Sequence, residues 1–170
     1  MNATTESTQK KEILLNGWHK GLRILQIGNF NASTYYGKIG KRFGIPVVII
    51  TSVVSSAIFA TLGESQHREI QIVAGFVSIL ATVLSSLQTF LGYSELSSSH
   101  KEAAVGYGEL RTEIQILLAS DLPNVSNLDE RIDSIRTRWS GLDKGSPTLP
   151  KKIYAEAAKA VGNDFLECRN

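Results

Sequence analysis

The chain has 170 residues and a formal charge of +2, enough for one domain of ordinary size and too weakly basic for a nucleic-acid-binding surface. A single cysteine, Cys168, rules out an intrachain disulfide, and the scattered His19, His67 and His100 form no cluster with zinc spacing. Mean hydropathy is close to zero, an average that conceals an apolar middle and polar ends.

Residues 1–11 read as a polar tail, lacking the apolar core of a signal peptide behind a basic start, and fraying is expected there. Residues 12–44 read as an amphipathic, interfacial helix. Ile13, Leu14, Trp18, Leu22 and Leu25 supply its apolar side, His19, Lys20 and Arg23 its other faces, and Gly17, Gly21 and Gly28 weaken it. Two placements stay open: on a membrane surface with Trp18 at the headgroups, or against the C-terminal helices. His19 reads as a surface histidine rather than a ligand. Tyr35, Tyr36, Lys38, Lys41 and Arg42 follow just before an apolar run, and with Trp18 they form the expected membrane-interface set.

The segment 45–94 reads as a transmembrane hairpin. Its first span, 45–62, is uncharged and opens at Pro46, whose missing N–H is not needed in a first turn. Its second, 70–93, is also uncharged and long enough for a hydrocarbon core about 30 Å thick. Within it Gln71, Gly75, Ser78, Thr82, Ser85, Thr89 and Gly92 recur at alternating steps of four and three, which places them on one helical face. This stripe has two readings: a seam for close helix packing, or the lining of an aqueous path in an oligomer. Gly63–Glu69 is the turn. Lys38, Lys41 and Arg42 before the first span, and Lys101 and Arg111 after the second, orient both termini towards the cytoplasm of a multi-pass protein in the cell (plasma or inner) membrane.

Residues 95–140 read as a cytosolic stalk and return helix. The stalk continues the second span, with Leu96, Ala103, Leu110, Ile114 and Leu117 at helical intervals and Gly92, Gly106 and Gly108 as weak points. Leu122-Pro123-Asn124 ends it, and Ser126 to Asp129 reads as a capping pattern for the next helix. Leu128, Ile132, Ile135 and Trp139 mark the inner face of that helix, with Trp139 expected to pack it on the stalk. Residues 141–149 read as a linker and 150–167 as a C-terminal helix, apolar along Ile153, Tyr154, Ala157, Ala158, Val161 and Phe165. The fold class is therefore an all-α membrane protein: a two-transmembrane helical hairpin continuing into a cytosolic helical stalk and bundle.

Catalytic signatures are absent. Gly37-Lys-Ile-Gly-Lys-Arg42 lacks the strand context and spacing of a phosphate loop, no serine sits in a nucleophile elbow, and Glu130 with Asp133 reads as a solvated face. No enzyme, catalytic residue, metal or cofactor is expected.

The order of elements resembles the SLATT family, bacterial two-transmembrane effector domains associated with nucleotide-sensing conflict systems. The resemblance spans about residues 15–165 and is carried by Tyr35-Tyr-Gly-Lys38, Gly44-Ile-Pro46, the serine-rich first span, the second span running into Tyr93-Ser-Glu95, and Ser146-Pro-Thr-Leu-Pro150. It implies an oligomeric effector that forms a pore or disrupts the membrane in a conflict or antiviral, abortive-infection-like response. The partners it implies are the lipid bilayer, further copies of the chain, and a separate nucleotide-generating or sensor protein. An alternative class is a non-conducting membrane anchor or scaffold that recruits partners through its cytosolic helices.

Overall fold

The structure, a computed structural model, describes the backbone of residues 2–61 and 68–167; the side chains at 2–5, 54, 55, 57–61, 68–71, 74, 87–91 and 163–167 lie outside the described set. The described residues form five α-helices, one 3-10 turn and no strand. In chain order these are α1 (Asn2–Thr61), α2 (Arg68–Leu91), α3 (Tyr93–Ala119), the turn Leu122–Asn124, α4 (Leu128–Gly145) and α5 (Lys151–Glu167). The chain divides into two compact units, Met1–Thr34 with Ser98–Asn170, and Tyr35–Ser97.

Four boundaries differ from the sequence reading. Residues 2–11 are helical rather than a frayed tail, held by the Lys10–Glu6 pair at 2.7 Å along the helix and by Lys11 on Asp129 at 2.7 Å. No helix start occurs near residue 45, because Pro46 lies inside α1, where it forfeits one backbone hydrogen bond without ending the helix. The expected continuous helix from the second span into the stalk breaks at Gly92, whose φ of +53° is left-handed. The chain resumes helix at once, with the Leu96 N–H donating to the Gly92 carbonyl at 2.8 Å. Finally, α4 runs through Gly141 to Gly145, so the linker starts only at Ser146. Its N-cap is Asn127, at φ 57° and without a side-chain cap bond, not the expected Ser126 pattern.

The first unit has a conventional helical core. On α3, His100, Ala103, Tyr107, Leu110, Ile114 and Leu117 are buried at alternating steps of three and four, a single face of the helix. Against it pack Leu15 and Leu22 of α1 and Ile135 of α4, all fully buried, with Leu128, Ile132, Trp139 and Leu142 partly buried around them. α1 therefore packs on the other helices of this unit, which settles one of the two placements left open for it. α4 approaches α1 at Gly21, where a Cβ would stand in van der Waals contact with the Trp139 ring at 3.4 Å. On α5, Ala157 and Val161 are fully buried, and Leu149 and Ala157 come within van der Waals reach of Gly28 on α1. Tyr154 is exposed, and Phe165 lies outside the described side chains.

Three polar features cross this core. The His100 ring Nδ1 and Asn29 Oδ1 are 2.8 Å apart, both residues essentially without solvent exposure, and Asn29 Nδ2 donates to the Leu25 carbonyl at 2.9 Å. Burial lowers the His100 pKa, since the charged ring would lose its hydration. Tyr107 donates its hydroxyl to Asp143 at 2.8 Å, and burial pushes that phenol up to about 12. His19 is partly buried rather than a free surface group. Burial first, then the charges of Arg111 and Arg23, lower its pKa.

Candidate functional site

In the second unit, the later part of α1 and α2 with the start of α3 run antiparallel: Gly37 faces Ser97 while Gly40, further along, faces Tyr93 and Ser94. The packing between them is slight. Among the unit's described residues only Val47 at 7% exposure and Ala81 at 3% are buried, with Val77, Ser78 and Leu84 half-buried beside Ala81. The large apolar side chains point elsewhere. Val48, Ile49 and Val53 of α1, and Ile72, Val73, Phe76, Ile79, Leu80 and Val83 of α2, are all more than half exposed. The six on α2 share one face, an arc of about a third of a turn on the side opposite Ala81.

The stripe on α2 does not coincide with the seam. Gly75, Thr82 and Ser85 are exposed, while Ser78 and Gly92 are half-buried. At 3.6 residues per turn, Gly75 and Thr82 sit roughly a quarter to a third of a turn away from Ala81, so they lie to one side of the seam. Gln71 and Thr89 lie outside the described side chains, as do the turn residues Gly63–His67 and Cys168. The hydroxyls engage their own helices: Thr82 Oγ1 donates to the Ser78 carbonyl at 2.8 Å and Ser86 Oγ to the Thr82 carbonyl at 2.8 Å. Thr51, Ser52 and Ser56 do the same on α1. Such back-bonding satisfies a hydroxyl without water.

Beside the seam lies an open cleft of about 850 Å³, walled by Gly37, Gly40, Lys41, Gly44, Ile45, Val48 and Ile49 of α1 and by Ser85, Gly92, Tyr93, Ser94, Glu95 and Ser97 opposite. Two stripe residues, Ser85 and Gly92, are therefore brought together with a glycine face on α1 whose residues the sequence reading took only as a failed phosphate loop and as parts of the family resemblance. Its signal is the spacing Gly37, Gly40, Gly44, three then four residues on one face, preceding an apolar run. Of the expected interface residues, Tyr36 stacks on Tyr93 with ring centroids 6.2 Å apart, and Tyr35 meets Tyr36 edge-on at 5.3 Å. Tyr35, Lys38, Lys41 and Arg42 are exposed. Trp18 does not join this group: it belongs to the first unit, edge-on to Trp139 at 5.8 Å.

No group of His, Cys, Asp or Glu among the described residues could hold a metal ion. Over the described residues no helix is long and apolar enough to cross a membrane, so the spans expected at 45–62 and 70–93 are not shown there; the side chains at 57–61 and 87–91 lie outside that set.

The described residues are all helical or turn, and the chain carries a thinly packed pair of apolar helices in one unit and a helical core in the other. A family model matches residues 31–165, and the chain belongs to the SMODS and SLOG-associating 2TM effector domain family 4. The matched segment contains the whole of the second unit and begins inside α1, after its first buried leucines. No curated protein and no solved structure matches.

Proposed function

We propose that this chain is an oligomeric two-transmembrane effector, whose helices α1 (from about Ile45) and α2 cross a bilayer and whose assembly opens or disrupts it in a conflict or antiviral response. The observation that carries this reading is the exposure of large apolar side chains on both helices of the second unit, with only Val47 and Ala81 buried among its described residues. Burying one such side chain stabilises by roughly 1.5–3 kcal/mol, so leaving nine or more in water is untenable for a helix pair; lipid removes that penalty. The hydroxyls bonded to their own backbone suit the same setting, where no water satisfies them. The exposed basic and aromatic residues at 35–42 suit a headgroup region on the cytoplasmic side, leaving both termini in the cytoplasm. The stripe runs along one side of the α1 seam, where the exposed Gly75 and Thr82 are placed to meet other copies or an aqueous path. Catalysis plays no part in this reading, and the trigger comes from a separate nucleotide-generating or sensor protein.

The test replaces Thr82 by Val and Ser85 by Ala in the full chain. Because Thr82 and Ser85 are exposed, the hairpin should insert as before, and carbonate-resistant membrane association should persist. Dye or ion leakage and growth arrest on induced expression should fall. Matched changes at Val83 and Leu84 should matter much less. Wild-type protein that inserts, causes no leakage and yet captures a cytosolic partner would replace the effector reading with a membrane scaffold.

A further inference from the structure

We propose that the cleft of the second unit holds one phospholipid molecule whose headgroup carries both a phosphate and an ammonium group. The inference rests on the reading that this unit lies in a bilayer. The cleft's volume of about 850 Å³ falls within the range of ligand sites, roughly 300–1,000 Å³. Its walls change character along their length. On α1, Lys41 precedes Gly44, and Ile45, Val48 and Ile49 follow it. The facing stretch of chain runs antiparallel, so Ser94, Glu95 and Ser97 lie opposite the Lys41 end, and Ser85 lies opposite the isoleucines.

One end of the cavity therefore presents an ammonium, a carboxylate and hydroxyls, and the other presents apolar side chains. A soluble ion would have no use for the apolar half, and a hydrocarbon chain alone would leave the charged half unmatched. An amphiphile fills both. The charges decide between amphiphiles. Lys41 suits a phosphate, and the Glu95 carboxylate, which reaches to 3.9 Å of the position a Gly92 Cβ would occupy, suits an ammonium. A phosphate headgroup without an amine would instead bring two negative charges together at Glu95. The glycines give the ligand its room: Gly40 and Gly44 present no side chain to the cleft, and a leucine at either would narrow it.

The full chain, extracted from membranes in a mild detergent, is weighed by native mass spectrometry after exposure to vesicles of equal phosphatidylethanolamine and phosphatidylglycerol. One phosphatidylethanolamine per chain should be retained in preference to phosphatidylglycerol. Lys41→Gln and Glu95→Gln should each weaken retention about tenfold, the loss of one charge-assisted hydrogen bond, and Gly44→Leu should abolish it. Both charged positions are solvent-exposed, so these two variants decide the matter even where Gly44→Leu fails to fold. A chain that resists carbonate extraction but retains no lipid, or retains both lipids equally, overturns the lipid site and leaves the membrane reading intact. A chain that carbonate releases from membranes overturns both.

Discussion

Replacing Trp139 by alanine tests how the first unit is held together. Trp139 is partly buried, lies edge-on to Trp18 with centroids 5.8 Å apart and planes at 88°, stands 3.4 Å from where a Cβ at Gly21 would lie, and donates its indole N–H to Asp143 at 3.2 Å. Truncating a fully buried tryptophan costs about 3–5 kcal/mol, and the partial exposure here brings the expectation to about 2–4 kcal/mol. The edge-to-face pair accounts for about 0.5–1.5 kcal/mol of that beyond simple burial. A urea transition of the full chain in detergent, followed by far-ultraviolet circular dichroism, reads the loss as a lower midpoint at unchanged slope. The double-mutant cycle with Trp18→Ala isolates the pair and should give a coupling of about 1 kcal/mol. A Trp139→Ala chain with the wild-type midpoint and protease resistance, or a coupling indistinguishable from zero, would refute the packing of α4 on α1.

Two further outcomes follow from the buried histidines and from Gly92. His100 and His19 both have lowered pKa values, so the unfolded chain binds more protons than the folded one on the acid side of the ordinary histidine pKa near 6.5. Stability should be full above that value and decline as pH falls below it, and His100→Gln should flatten the decline in a set of urea midpoints taken between neutral and mildly acidic pH; an identical pH profile in that variant would exclude His100 as a source. Gly92→Ala forces a side chain into the left-handed region and should lower thermal stability by roughly 1–2 kcal/mol, whereas Gly75→Ala, which meets nothing within 4 Å, should not. Equal melting of both variants would show that the break at Gly92 is not held in that conformation.

The sequence by itself determined what depends on local periodicity. Apolar residues every three or four positions specify a helix and its inner face whatever that face meets, so α3, α4 and α5 and the buried Leu110, Ile114, Leu117, Ile135, Ala157 and Val161 were legible beforehand. The near-unbroken apolarity of α2 was legible for the same reason. Tertiary structure decided what depends on partners distant in sequence. Gly92, Gly106 and Gly108 looked alike as weak points, yet only Gly92 breaks the helix. Gly106 stays helical beneath the Leu142 side chain and Gly108 beneath Gln26, contacts that no local pattern announces. His100 and Tyr107 continue the buried face of α3 because Asn29, Asp143 and Ser146 satisfy their polar atoms; without those partners a sequence reading assigns them to the surface. Trp18 was expected at a membrane interface and instead meets Trp139, since an amphipathic helix presents the same face to lipid or to protein until a partner occupies it. The cleft has the same origin: glycines at 37, 40 and 44 are only an absence of side chains until α2 and the start of α3 supply the opposite wall.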